Sequence, residues 1–110
     1  HYDHIGVDTR RAPDAEGKRD LVRNGADDDA SGCAAVLDLA EAFAAGPKPA
    51  RTLIFFFATG EEIGLVGTHH YINHPLVPLE RTAANLNFEM IGRPDELVGG
   101  PGKLWLTGFE

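Results

Sequence analysis

The chain has 110 residues and a formal net charge of −7, so it can form one small domain at most. The acidic balance argues against nucleic acid and anionic membranes as partners, and no apolar run approaches the ~20 residues of a transmembrane helix. The single cysteine, Cys33, excludes a disulfide within the chain.

The first part of the chain is mostly polar. Residues 1–6 are typical of a strand end that leads into a loop, and residues 7–24 have mixed charges and no convincing period. A loop of this length inside a compact domain is usually functional or disordered. The chain has no initiator methionine and ends just after a strand-like run, so we expect it to be a fragment of a longer protein.

The first helix is predicted over residues 31–45, where apolar side chains share one stripe at helical spacing. Either Asp29 or Ser31 can cap its start, and Gly46–Pro47 favours its end. Cys33 lies on the apolar stripe, and we interpret it as a small hydrophobic residue of the core.

Three strands and a second helix are predicted after this helix. The segment 51–58 is apolar on both faces, as expected of a buried parallel strand, and shorter strands are predicted over 83–88 and 103–107. The second helix is predicted over 62–73, before Pro75 breaks the pattern. This alternation indicates an α/β fold with a mainly parallel sheet flanked by helices.

Acidic residues and one histidine lie where these strands end. They are Asp27–Asp29 before the first helix, Glu61 and Glu62 after the segment 51–58, Glu89 after the segment 83–88, and His1 with Asp3 at the start. At an effective dielectric constant near 20, two like charges ~4 Å apart cost ~4 kcal/mol, so such a cluster needs a cation or strong donors. Ligands of parallel sheets bind beyond the carboxyl ends of the strands.

One imidazole and three carboxylates suit Zn²⁺ as a ligand set. The candidate metal ligands are His1, Asp28, Glu62 and Glu89. Two zinc ions that share a bridging carboxylate lie ~3.5–4 Å apart. Asp3 is placed to accept the second ring N–H of His1, which orients the imidazole. Glu61 and Glu62 are adjacent, so their side chains diverge, and one can bind metal while the other acts as a general base.

Each of these features also has a simpler interpretation. A Glu-Glu pair is often a solvated helix start, and an aspartate cluster is often an N-cap. The recurrence of acidic groups at successive strand ends nevertheless favours a metal site. His70 and His74 have metal-like spacing but lack the intervening glutamate of zinc peptidase helices, so we interpret them as surface histidines.

Four segments in series resemble the motifs of a known family. They are His1–His4, Asn24–Gly32, Thr59–Gly67 and Asn85–Arg93. In this order and with these spacings, they resemble the co-catalytic zinc aminopeptidases of metallopeptidase family 28. The resemblance implies an incomplete zinc-exopeptidase (phosphorylase/hydrolase-like) fold, in which residues 1–110 form part of a catalytic domain.

The resemblance also implies two Zn²⁺ ions. His1 and Glu89 would bind one ion, Glu62 the other, and Asp28 would bridge both. The last histidine ligand on the Glu62 side has no counterpart in these 110 residues, and strands upstream of His1 are missing as well.

Further roles follow from the same resemblance. Glu61 would be the general base that takes a proton from the attacking water. Asp3 would orient His1, and the peptide bond between Asp28 and Asp29 would be cis, which is rare outside proline.

We therefore expect a zinc-dependent aminopeptidase that acts on peptides, has no membrane segment in these residues, and does not bind nucleic acid. Because relatives are commonly exported from bacteria, we expect an extracytoplasmic location. The alternatives are a glutaminyl cyclase with one zinc ion, a carboxypeptidase on the same scaffold, a non-catalytic receptor-like homologue, and an acidic α/β module without metal.

Overall fold

The computed structural model describes residues 1–108. In chain order, its elements are β1 (Gly6–Val7), β2 (Val22–Arg23), α1 (Ala30–Ala45), α2 (Val66–Asn73) and single 3₁₀ turns at Leu79–Arg81 and Glu96–Val98. No helix within residues 1–108 is long and apolar enough to cross a membrane.

The polar segment near the start forms a long hairpin. Strands β1 and β2 pair antiparallel, with Gly6 opposite Arg23, and the backbone N–H of Asp8 extends the pairing to Leu21. The guanidinium of Arg23 donates to Asp8 at 3.0 Å. This hydrogen bond, together with the backbone N–H of Arg10, holds the pKa of Asp8 below its usual range. A segment without sequence periodicity is thus closed by polar contacts at its base.

Helix α1 confirms the first predicted helix to within one residue. The side chain of Asp29 accepts a hydrogen bond from the backbone N–H of Gly32 at 3.1 Å, so Asp29 rather than Ser31 is the N-cap. The helix ends at Ala45, as predicted, with Gly46 as its C-cap. Cys33 is only half-buried, and its thiol contacts the main-chain oxygen of His1 at 3.1 Å.

Helix α2 begins four residues later than predicted, at Val66 instead of Glu62. The carbonyl oxygen of Glu61 accepts from the N–H groups of both Gly64 and Leu65, which closes a tight turn. Gly64 and Leu65 have φ values of 109° and 58°, and a right-handed helix cannot pass through such residues. Glu61 and Glu62 therefore lie on a turn in front of the helix.

The three strands predicted over 51–58, 83–88 and 103–107 are not formed as strands in the described residues, whose one sheet is two-stranded and antiparallel. A strand exists only where a neighbour pairs with its backbone groups, and the periodicity of a segment does not supply that neighbour. Phe55 and Phe56 are 39% and 44% exposed, so their apolar faces also lack cover. The mainly parallel sheet and the zinc-exopeptidase fold stay predictions.

The described part of the chain buries no hydrophobic side chain. The apolar stripe of α1 is open to solvent, with Leu37 60% and Phe43 44% exposed. The buried charged side chain is Asp29, at 2% exposure. Polar contacts around Asp29, rather than an apolar core, position the segments that carry the candidate site.

Candidate metal centre

Asp29 connects three segments of the chain through its carboxylate. Its Oδ2 accepts a hydrogen bond from the main-chain nitrogen of His1 at 2.9 Å. Its Oδ1 accepts from the N–H groups of Gly32 at 3.1 Å and Met90 at 3.3 Å. A buried carboxylate is stable when several donors satisfy its oxygens. The start of the chain, the start of α1 and the segment after Glu89 are thereby held around one side chain.

Asp27 connects the segment after Met90 to the start of α1 through hydrogen bonds and an ion pair. Its carboxylate accepts from the N–H of Gly92 and from Nε of Arg93, both at 2.8 Å. The hydroxyl of Ser31 donates to the main-chain oxygen of Asp27 and accepts from the N–H of Ile91. Any Cβ at Gly92 would lie 2.9 Å from the Cβ of Ser31, so this close approach requires glycine.

Asp28 is the aspartate that faces the candidate site. Its peptide bond to Asp29 is cis, which confirms the expectation from the resemblance. Its Oδ1 lies 3.1 Å from Nε2 of His1, in a geometry that does not make a hydrogen bond. The three consecutive aspartates therefore have three different environments, and only the middle one has an unpaired oxygen directed at the site.

The ring of His1 is held by the main chain of Asp3. Its side chain is 4% exposed, and Nδ1 lies 3.0 Å from the main-chain oxygen of Asp3 but 3.7 Å from the Asp3 carboxylate. When Nδ1 carries the ring proton, it donates to that carbonyl oxygen and leaves a lone pair on Nε2. Nε2 faces Asp28 at 3.1 Å and Glu61 at 3.6 Å. The sequence pointed to the carboxylate of Asp3 for this role, whereas the carbonyl oxygen is closer.

The carboxylate of Asp3 instead reaches the turn before α2. Its two oxygens accept from the backbone N–H groups of Glu61 at 3.2 Å and Glu62 at 3.5 Å. The backbone N–H of Tyr2 also donates to Ala58 at 3.0 Å. Residues 1–3 thus align the segment 58–62, which carries two candidate site carboxylates. The spacing of Asp3 from His1 gives no sequence signal for this contact.

Within residues 1–108, the structure brings together two groups of potential metal ligands, and in each group the ligand atoms lie within 4.8 Å of one another. The first group is His1, Glu61 and Glu89, and the second is His4, Asp28 and Glu62. All of the predicted ligands fall in these groups. Asp28 also lies against His1 of the first group, between the two clusters.

His4 is the member of these groups that the sequence interpretation missed. Its Nδ1 contacts Oε1 of Glu62. The available signal was the second histidine in the segment His1–His4, three residues after the predicted ligand. By contrast, the rings of His70 and His74 stack 4.6 Å apart on exposed positions, away from both groups.

Four buried polar atoms of these groups have no hydrogen-bond partner among the described residues. They are His1 Nε2, His4 Nδ1, Asp28 Oδ1 and Glu62 Oε1. A buried polar atom without a partner costs ~1–3 kcal/mol. Divalent cations would satisfy all four atoms, and imidazole nitrogens with carboxylate oxygens are donors that Zn²⁺ accepts. The residues present therefore fit the zinc that the resemblance implies.

Glu61 lies among carboxylates that repel its charge. Its partial burial raises the pKa of the carboxyl, and the negative charges of Glu89, Glu62 and other carboxylates nearby raise the pKa further. Divalent cations bound among these carboxylates would offset this repulsion.

A cleft of about 570 Å³ opens beside Glu89. Its apolar lining includes Met90, Ile91, Val98 and Trp105.

Comparison with known proteins gives a consistent result. The model of a family described as Peptidase family M28 matches residues 1–100. Leupeptin-inactivating enzyme 1 of Streptomyces exfoliatus is 41% identical over 80 residues, which cover 69% of this chain and 18% of that protein. Endoplasmic reticulum metallopeptidase 1 of Rattus norvegicus is 38% identical over 94 residues, covering 80% of this chain and 10% of that protein.

Aminopeptidase YwaD of Bacillus subtilis (strain 168) is 37% identical over 70 residues, which cover 62% of this chain and 15% of that protein. This chain thus spans less than a fifth of the length of each of these relatives. No solved structure gives a significant match.

Proposed function

This chain belongs to peptidase family M28, and we propose on that premise that the protein is a zinc-dependent aminopeptidase. It would remove residues from the N-termini of peptides. The observation that carries this proposal is the convergence of four unpartnered buried atoms, two imidazole nitrogens and two carboxylate oxygens, on one region. Relatives named as an aminopeptidase and a metallopeptidase support it.

Two zinc ions would be held by this chain together with residues outside it. His1, Asp28 and Glu89 would hold one ion, and Asp28 and Glu62 would hold the other. When bound, the metal pair would supply Lewis-acid activation of water and of the scissile carbonyl group. The negative charge of the clustered carboxylates is then balanced, which removes the repulsion that raises the pKa of Glu61 in the metal-free chain.

Glu61 would move the proton in this reaction. Its carboxylate belongs to the first ligand group and lies 3.6 Å from Nε2 of His1. From there it takes a proton from the attacking water and later gives that proton to the leaving amine. Asp3 fixes the backbone of Glu61 and Glu62, so the base and its neighbouring ligand keep a constant separation. Asp29 fixes the backbone of His1.

The exposed apolar faces support a larger fold around this chain. Side chains from Leu53 to Phe56 are between 39% and 44% exposed, which a stable peptidase domain would cover with other strands and helices. We propose that the full-length protein completes a mainly parallel sheet of the zinc-exopeptidase type. We also propose an extracytoplasmic location, which fractionation of the native host would test.

Metal analysis and turnover of the full-length protein test the proposal. We expect two zinc ions per chain and hydrolysis of aminoacyl chromogenic substrates. The Glu61→Gln variant should lose ~10²–10⁴-fold in kcat because it lacks the base, while its zinc content stays unchanged. Full activity in this variant would exclude Glu61 as the base. One zinc ion without peptide hydrolysis would favour a cyclase, and a protein without zinc would overturn the proposal.

A further inference from the structure

We propose that His4 is a ligand of the metal ion on the Glu62 side. The inference rests on the proposed function, because it requires a metal ion at this site. The resemblance assigns that ion a histidine from outside these residues, and the ring of His4 adds an imidazole directly beside Glu62. Its Nδ1 atom, Oδ1 of Asp28 and Oε1 of Glu62 belong to one group of converging ligand atoms.

The burial of these atoms argues for a ligand role. The side chains of His4 and Glu62 are 19% and 18% exposed, yet the two atoms that face each other, Nδ1 and Oε1, are buried. They approach closely without the geometry of a hydrogen bond. A cation that contacts both atoms from the side of Asp28 would satisfy them, because imidazole nitrogen and carboxylate oxygen are both zinc ligands.

The ring of His4 is also held in place by its surroundings. Gly25 has a φ of 65°, and a Cβ there would lie 2.9 Å from Cβ and 3.0 Å from Cγ of His4. The absence of a side chain at Gly25 therefore creates the space that the base of the His4 ring fills. Gly25 precedes Asp28 by three residues, so one short segment supplies a metal ligand and also seats the imidazole.

His1 and His4 present different ring nitrogens. His1 presents Nε2 to Asp28, because its Nδ1 lies against the carbonyl oxygen of Asp3. His4 presents Nδ1 to Glu62. Either nitrogen of a neutral imidazole binds metal, so the two histidines can serve two adjacent positions from one short segment. Histidine at both ends of the His1–His4 segment then has a direct chemical use.

The competing role for His4 is to donate a hydrogen bond to Glu62, and two substitutions separate the two roles. His4→Asp keeps an oxygen that binds zinc near the position of Nδ1 but repels Glu62 when no metal is bound. His4→Asn keeps an N–H donor at the same distance from the backbone but is a poor zinc ligand. A ligand role predicts that Asp preserves metal binding better than Asn, and a donor role predicts the reverse order.

The experiment measures zinc stoichiometry and affinity in the full-length protein by competition with a chelating indicator. The wild-type protein should bind two ions. In His4→Asn, the ion on the Glu62 side should bind more than ~100-fold more weakly than in the wild type. Removal of an outer hydrogen-bond partner alone costs at most ~100-fold in metal affinity. In His4→Asp, the loss should be smaller than in His4→Asn. The matched control pair, His70→Asn and His70→Asp, should bind both ions as the wild type does.

A second measurement reads the bond directly. In the cobalt-substituted protein, each ligating histidine contributes an exchangeable imidazole N–H resonance shifted far outside the normal range. His4→Asn should remove one such resonance and His70→Asn none. Unchanged resonances, or tighter binding in His4→Asn than in His4→Asp, would overturn the ligand role of His4. Absence of metal from the wild-type protein would instead overturn the proposed function.

Discussion

The region around Asp27–Asp29 and the segment 51–58 are organised by opposite forces. Around the aspartates, carboxylates meet N–H groups of His1, Gly32, Met90 and Gly92 at distances of 2.8–3.3 Å. In the segment 51–58, the apolar side chains from Leu53 to Phe56 stay about 40% exposed. Hydrogen bonds between short motif segments can align a site locally, whereas burial of apolar strands depends on the rest of a fold.

Removal of the Asp29 carboxylate would break the polar region most severely. Asp29→Ala leaves three N–H groups without an acceptor, and at ~1–3 kcal/mol each the full-length protein should lose about 6 kcal/mol of unfolding free energy. Asp29→Asn keeps one acceptor oxygen and should lose less. Denaturant unfolding measures both changes. Wild-type stability in Asp29→Ala would show that the region is not held together by this side chain.

Truncation of Phe56 tests whether the apolar segment 51–58 is buried in the full-length protein. If the full-length protein covers the segment 51–58, Phe56→Ala should cost ~3–5 kcal/mol because a buried aromatic side chain is lost. In the described residues the ring of Phe56 packs on that of Tyr71, with centroids 4.9 Å apart, and the side chain stays 44% exposed. The same unfolding assay tests this value. A cost below ~1 kcal/mol would mean that the segment stays exposed in the full-length protein as well.

Asp3 tests whether the polar region controls catalysis as well as stability. Asp3→Ala removes the acceptor for the backbone of Glu61 and Glu62, so activity should fall ~10–100-fold, the range for loss of an outer partner. Asp3→Asn keeps an acceptor oxygen and should fall less. Steady-state kinetics with zinc analysis measures the effect, and Asp8→Asn in the distant hairpin serves as the control. Equal kcat in Asp3→Ala and wild type would contradict the alignment role.

The smallest expected effect is a change in how the stability of the metal-free protein depends on pH. Partial burial and carboxylate repulsion raise the pKa of Glu61 above its ordinary value in the folded chain. A raised pKa in the folded state gives stability that is present below the unfolded pKa and lost as pH rises through the folded pKa. Stability of the metal-free protein should therefore fall as pH rises above 4.5, and Glu61→Gln should reduce this fall. Identical pH profiles would contradict the prediction.

Local signals explain what the sequence predicted correctly. The apolar stripe, the capping Asp29 and the Gly46–Pro47 pair define α1 without help from other segments, and the observed bounds differ by one residue. The predicted start of α2 was wrong because the left-handed conformation of Leu65 interrupts the helix. Leucine rarely adopts that conformation, so the sequence does not predict it. The strand at 51–58 failed because pairing is a property of two segments.

In the candidate site, too, the sequence predicted some features and missed those that depend on contacts between segments. His1, Asp28, Glu62 and Glu89 were expected near one another because they lie at predicted strand ends, and the structure assembles them in two groups although those strands are not formed in the described residues. The contact of His4 with Glu62 depends on the turn at 61–65 and on the space beside Gly25, which no spacing rule contains. Their roles as metal ligands stay predictions that the proposed metal analysis tests.

The three adjacent aspartates carry a consequence for how substitutions in this chain are tolerated. Asp27 meets an exposed arginine and a backbone amide, so asparagine is an adequate replacement there. Asp29 accepts only from N–H groups, so an amide is a partial substitute. Asp28 faces the other candidate metal ligands, and no neutral residue replaces the charge that it would offer a metal ion. In a saturation mutagenesis screen, these three identical neighbours should therefore tolerate three different sets of substitutions, each set by the groups that the carboxylate contacts.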